Sequence, residues 1–308
     1  MGDPDKTVSL WLVDAANEFQ QMLKAEAEGV CRKARLGLTV HFTGYDVSVQ
    51  VREIRAALSR TPHANAFLVM GTRDRGLAAY VRQAVREGVA WFFLNGVEDD
   101  LAAIRRDHPA AVIAVVTADE RETGRIQGRQ FRALIPGGRL VLYVQGGTQS
   151  FVARARTAGV LEATKGAPFE VALIEGGWDP SVAREHIRRW LSIVAQGDAV
   201  PDLVACQNDP LALAALEALQ DVAESTGRPE IARIPVTGCD GTPKMGQRLV
   251  REGTIKATVV LPPWAGVAAQ QAADFLLRGQ VPPPMTLLKP TSFPAERDLR
   301  PVVGSSAP

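Results

Sequence analysis

Three features of the sequence predict an α/β protein built as two doubly wound halves. Short, nearly continuous apolar runs alternate with longer amphipathic stretches along most of the chain. Strands buried on both faces of a helix-covered parallel sheet read as such runs, without polar alternation. The rhythm proceeds once to about Val116 and starts again near Leu140. The length of 308 residues is enough for two lobes of ordinary domain size, and 46% hydrophobic with 22% charged residues suits a chain with a large buried core.

Taken in order, the first strand is expected at residues 8–13. A helix follows at about 19–32, where Phe19, Met22, Leu23, Ala27 and Val30 recur at helical spacing. A strand at 38–42, a helix at 47–58, a strand at 66–70, a helix at 77–86 and a strand at 89–94 come next. After a short apolar run at 111–116, the second half reads as strands at 140–144, 171–174, 203–206, 234–237 and 258–261. Its helices fall around 122–134, 149–164, 182–195, 211–223 and 244–251. The break near Thr117-Ala-Asp119 has no Gly/Ser-rich or Pro-rich linker, which predicts a hinge and not a loose tether. The segment from Pro282 to Pro308 is Pro-rich and weakly patterned, and is expected to run along the surface and fray at its end.

Composition narrows the function. A formal net charge of +1 argues against a broad electrostatic footprint for nucleic acid or anionic membrane. Arg121, Arg125, Arg129 and Arg132 are spaced as one solvated helix face. The three cysteines, Cys31, Cys206 and Cys239, form no C-x-x-C pair and no metal-spaced cluster with histidine. They read as buried thiols, and a bond between Cys206 and Cys239, both at strand ends, stays open. No apolar run is long enough to span a bilayer, and the polar stretch Met1–Lys6 lacks the apolar core of a signal peptide. The chain is then either cytosolic or a mature exported domain whose leader was replaced by a start Met.

No nucleophile elbow, P-loop or zinc-protease motif is present, and His41, His63, His108 and His186 are scattered. The expectation is a binding protein without catalytic residues, cofactor or metal. Gly146-Gly147-Thr148 follows a strand and precedes a helix but lacks the third glycine of a dinucleotide fingerprint and the lysine of a P-loop. These are read as tight-turn glycines. Polar residues do recur at strand ends: Asp14 and Asn17, Asn95, Asn208-Asp209 and Asp240. Ligands of doubly wound sheets bind outside the carboxyl ends of strands. Each of these residues taken singly suits a helix N-cap, Asp209 in particular.

Several segments in the second half carry a resemblance: Asp119-Glu-Arg-Glu-Thr-Gly124-Arg-Ile-Gln-Gly128, Arg156-Thr-Ala-Gly159, Gln207-Asn-Asp-Pro-Leu-Ala-Leu213, Gly238-Cys-Asp-Gly-Thr-Pro243 and Lys256-Ala-Thr-Val-Val-Leu-Pro262. Their order and spacing resemble the type I periplasmic binding proteins, the ribose- and galactose-binding family that also supplies effector domains of lactose-repressor-like regulators. The resemblance implies two Rossmann-like lobes with a central ligand cleft. Residues 7–118 with 263–289 would form the N-terminal lobe, and 119–262 with 290–303 the C-terminal lobe. It also implies closure on the ligand.

Residue roles follow position by position. Asn17 and Phe19 match the loop that touches ligand from the first lobe. Trp178 matches an aromatic platform for a sugar's C–H face. Arg156 matches a forked donor, and Asn208 and Asp240 match partners of vicinal hydroxyls. The chain departs from the sugar-binding pattern at Asn95-Gly96, where an Asp-Arg pair is common, at Glu120, where Asn is common, and at Leu261, where the ribose type has an amide. The expected ligand set is therefore Asp14, Asn17, Phe19, Asn95, Glu120, Arg156, Trp178, Asn208 and Asp240. The departures argue against plain ribose or galactose and leave open a polyol, a modified sugar, a furanone-like signal or a cation. The implied role is a monomeric periplasmic receptor that passes a sugar or polyol to an ABC transporter permease. The alternatives are a sensing module for a membrane kinase or chemoreceptor, or the effector domain of a regulator. Arg156→Ala or Asp240→Ala is expected to abolish binding and leave the fold intact.

Overall fold

Runs of apolar residues become strands through most of the chain, and the amphipathic stretches between them become the covering helices. The structure is a computed structural model that describes residues 6–72, 76–96, 100–195, 197 and 200–302. In chain order, the first elements are β1 (Thr7–Leu12), α1 (Glu18–Ala34), β2 (Gly37–Phe42), α2 (Val47–Leu58), β3 (Ala66–Met70), α3 (Ala78–Arg86), β4 (Ala90–Leu94), α4 (Leu101–Asp107) and β5 (Ile113–Ala118). Then come α5 (Glu120–Leu134), β6 (Leu140–Gln145), α6 (Phe151–Ala163), β7 (Glu170–Glu175), α7 (Pro180–Val194), β8 (Leu203–Cys206), α8 (Asp209–Thr226) and β9 (Val236–Thr237). The last are α9 (Gly246–Arg251), β10 (Thr258–Val260), α10 (Trp264–Arg278), β11 (Met285–Leu288) and β12 (Thr291–Phe293).

The chain divides into two units, 1–118 with 262–288 and 119–261 with 289–308. Unit 1 holds a six-stranded parallel sheet in the order β11-β5-β4-β3-β1-β2. On one face Trp11, Phe67, Trp91 and Phe93 form a chain of ring contacts, with centroids 4.8, 5.7 and 5.8 Å apart. Ile54 of α2, Val81 of α3 and Ile104 of α4 close over them. Elsewhere in the unit α1 meets α10, where the Phe19 ring lies edge-on to Trp264 at 5.9 Å.

Unit 2 holds a four-stranded parallel sheet in the order β7-β6-β8-β9 and an antiparallel pair, β10 with β12. Single parallel bridges, Thr237 to Ala257 and Asp240 to Val260, lead from the region after β9 to β10. The α7–α8 side of the sheet buries Ile187, Leu191, Leu211 and Leu219, and a further cluster holds Phe131, Tyr143 and Leu203.

Three expectations are corrected. The segment after Pro282 does run along the surface, but as two strands: β11 lies parallel to β5, and β12 is antiparallel to β10. Arg105 of α4 donates to the carbonyls of Ile113 and Pro284, holding this edge in place. Both strands are short edge strands flanked by proline, and neither holds a fully buried residue, so their pattern is faint. The fraying end at Gly304–Pro308 lies outside the described residues. The arginine row of α5 is not a bare solvated face. Arg121 and Arg125 bond Glu162 of α6, Arg129 bonds Glu122 and Glu296, and Arg132 donates to the carbonyls of Ala163 and Lys165. The bond from Arg121 leads in pulling the Glu162 carboxyl down to about 2. The strand expected at 234–237 is shortened to Val236–Thr237. Cys31, Cys206 and Cys239 are buried free thiols, as read from the sequence, and burial pushes the Cys31 thiol up to about 11. No helix among the described residues is long and apolar enough to cross a membrane.

Candidate functional site

The polar centre of unit 2 is built by two glycines. A Cβ on Gly124 of α5 would lie 1.9 Å from the Arg156 carbonyl oxygen, and one on Gly159 of α6 would lie 2.0 Å from the Arg121 carbonyl oxygen. Real side chains never approach so closely, so glycine at both places lets the two helix backbones touch. That contact brings Glu120, in the first turn of α5, onto Arg156 in α6. Arg156 Nε donates to Glu120 Oε2 at 2.6 Å, Nη1 donates to the Gln207 carbonyl, and Nη1 stands 3.8 Å from Asp240 Oδ1. Arg156 is 2% exposed. Burial opposes its charge, but the surrounding Cys239, Glu120 and Asp240 side chains outweigh burial and hold its pKa above the usual arginine value.

Asp240 follows β9 with a φ of 100°, unusual for any residue but glycine. Its backbone is fixed on both sides: its N–H donates to the Val259 carbonyl, and its carbonyl accepts from Leu261. Burial pushes the carboxyl well above the usual range, Arg156 pulls it back, and Asp209 and Glu120 push it further up. A carboxyl that holds its proton more tightly in the folded state costs nothing below the ordinary value near 3.8. It lowers stability as pH rises from there towards the folded pKa. Asp240→Asn is therefore expected to raise the melting temperature at pH 7, with the gain vanishing as pH falls below about 4. Melting curves across that range check the sign.

Three polar groups keep capacity for a ligand. Among the described residues, Asp240's carboxylate accepts no hydrogen bond, and its side chain is 11% exposed. Asn208 accepts from Leu211 N at 2.8 Å through Oδ1, leaving Nδ2 to donate. Arg156 uses Nε and Nη1, leaving Nη2. The Trp178 ring flanks this group, with its centroid 5.8 Å from the Arg156 guanidinium carbon. Glu120 differs from the three. Its Oε1 is buried without a hydrogen-bond partner, and its place is behind Arg156 as an anchor.

In unit 1, the residues singled out by sequence sit after β1 and β4. Asn17 caps α1 by accepting from Gln20 N, Asp14 accepts from Ala16 N, and Asn95, at φ 57°, lies 3.4 Å from the Thr117 hydroxyl. Phe19 is buried against Trp264.

The family model for a periplasmic binding protein domain matches residues 8–280. The chain belongs to the periplasmic binding protein family. Among curated proteins, the ribose import binding protein of Salmonella typhimurium is 30% identical over 173 residues, and the one of Escherichia coli is 29% identical over 170. Each match covers 55% of this chain and 54% of the relative, so the chain aligns with about half the length of the curated relatives it matches. Among solved structures, the Caulobacter myo-inositol binding protein bound to myo-inositol has a TM-score of 0.79 at 22% identity, covering 94% of this chain and 96% of that one. An ABC transporter periplasmic solute binding protein from Actinobacillus succinogenes with bound D-allose has a TM-score of 0.80 at 17% identity, covering 94% and 97%. These two likenesses establish a shared fold.

Within this periplasmic binding protein, sequence reasoning missed Gln207. Its Oε1 accepts from Gly146 N at 2.8 Å, and its Nε2 donates to the Ala153 carbonyl and the Thr157 hydroxyl, both at 3.0 Å. It thus ties the ends of β6 and β8 together where the strand order reverses, the place where doubly wound sheets hold ligands. Two other readings change. Asp209 is not the cap of α8; Asn208 is, because its extended backbone lets its side chain turn onto the helix's free N–H groups. Asp209 instead accepts from Gly241 N at 2.8 Å and from the Thr258 hydroxyl at 2.7 Å, pinning the segment that carries Asp240. Nor do Gly146 and Gly147 serve a positive-φ turn. A Cβ on Gly146 would fall 2.0 Å from the Trp178 ring, so glycine is there to seat the indole.

Proposed function

We propose that this periplasmic binding protein is a receptor for a sugar or sugar-like polyol, which it delivers in the periplasm to an ABC transporter in the membrane. The observation that carries the reading is the convergence of Arg156, Asn208 and Asp240, each with unused hydrogen-bonding capacity, beside the Trp178 ring. Vicinal hydroxyls need donors and acceptors side by side, and the C–H face of a sugar packs on an aromatic ring. The names of the ribose import relatives support the same ligand class. We carry Asp14, Asn17, Phe19 and Asn95 as further ligand contacts, and Glu120 as the residue that positions Arg156.

A thermal-shift screen of the purified chain against pentoses, hexoses, inositols and linear polyols tests the reading, because a ligand bound by the folded state raises the melting temperature by mass action. Asp240→Ala is then expected to weaken the best ligand by about 100-fold, or about 3 kcal/mol, since it removes charge-assisted acceptors. Arg156 keeps its bond to Glu120 in that variant, so the fold stays. No shift with any polyhydroxylated compound would sink the proposal.

A further inference from the structure

The ligand site of unit 2 buries an unequal set of charges. Glu120 and Asp240 are carboxylates, and Arg156 is the cation between them. The two pairings are not alike. Arg156 Nε bonds Glu120 at 2.6 Å, in a contact where both side chains are almost wholly buried. Its Nη1 stays 3.8 Å from Asp240, beyond hydrogen-bond distance, and is turned to the Gln207 carbonyl instead. The guanidinium's hydrogen bond is thus committed to Glu120, and Asp240 has only its charge at a distance. Asp240 is 8% exposed and accepts no hydrogen bond among the described residues. Asp209, buried and pinned to Gly241 and Thr258, adds a further carboxylate to its surroundings.

A buried carboxylate that accepts no hydrogen bond and shares a single guanidinium with a second carboxylate is costly. Hydroxyl groups of a neutral ligand supply donors but leave the surplus charge. An ammonium group supplies both.

We propose that the ligand is an amino-substituted sugar or polyol whose ammonium group donates to Asp240, and that Glu120 sets this preference by occupying Arg156. The proposal rests on the polyol-receptor reading above.

The test is calorimetric titration of the full chain with matched pairs at pH 7: 2-amino-2-deoxyglucose against glucose, 1-amino-1-deoxyribitol against ribitol, and an aminoinositol against myo-inositol. The expected result is that, in at least one pair, the amine binds about tenfold or more tighter than its hydroxyl parent. Asp240→Asn should erase that advantage, and Glu120→Gln should shrink it, because Arg156 is then released to Asp240. If Glu120→Gln does not fold, Asp240→Asn alone decides, since Asp240 anchors no helix contact. A parent polyol that binds as tightly as its amine, or tighter, overturns this inference and leaves the polyol receptor standing. Binding by no member of any pair overturns this inference, and the polyol-receptor reading is then decided by the wider thermal-shift screen.

Discussion

Replacing Arg156 by methionine should cost about 3–5 kcal/mol of folding stability as well as abolish ligand binding. The reason lies in what the substitution leaves behind. Glu120 keeps less than one-tenth of its surface, and its Oε1 already lacks a partner; without the guanidinium both of its oxygens are orphaned beside Asp240. The sequence alone suggested that an Arg156 substitution would spare the fold, because the residue looked like a ligand contact and no more. Urea denaturation distinguishes the two views. A companion variant, Glu120→Leu with Arg156→Met, should recover much of the loss, since removing both charges replaces a buried ion pair with apolar packing. An unchanged denaturation midpoint in the single variant would show that Arg156 is not the hub described here.

The second large effect is expected at Gly159. Alanine there would place its methyl 2.0 Å from the Arg121 carbonyl oxygen, which is backbone and cannot swing aside. The helices α5 and α6 must separate, and overpacking of this kind costs about 3 kcal/mol. Separation also draws Glu120 away from Arg156, so ligand affinity should fall together with stability. Gly29, inside α1, is the control. Nothing lies within 4 Å of a Cβ built there, and alanine should raise stability by about 0.5–1 kcal/mol. If Gly159→Ala behaves like Gly29→Ala in thermal denaturation, the close crossing of the helices is not a constraint.

Much of the fold was legible because its strands are apolar runs with recognisable ends. The helix at 47–58 and the strands at 66–70 and 203–206 occur with the boundaries read from sequence. The parts not foreseen have local physical causes. Helix α10 is rich in alanine, with Ala265, Ala268, Ala269, Ala272 and Ala273 buried, so small residues made its inner face a weak hydrophobic signal. Helix α4 has seven residues, too few for a clear period. The candidate site was legible at the level of which residues are polar at strand ends, and not at the level of their partners. Glu120 and Arg156 are 36 residues apart on different helices, and their meeting depends on Gly124 and Gly159 each facing the other helix's backbone. No spacing within one element announces such a pair. Gln207 lay inside a motif that was noticed, yet its three hydrogen bonds reach β6 and α6, which are joined to it by topology alone.

The strand order of unit 1 also sets a timetable for synthesis. The parallel sheet of unit 2 has all its strands once the chain has grown to Thr237, whereas that of unit 1 waits for Leu288. Until then one side of β5 is an unpaired edge, and until residue 264 the partner of Phe19, Trp264, has not been made. The first half to emerge from the ribosome is thus completed after the sheet that follows it. A nascent chain stalled between these two points would carry a finished second sheet beside an open first one, the species most in need of a chaperone.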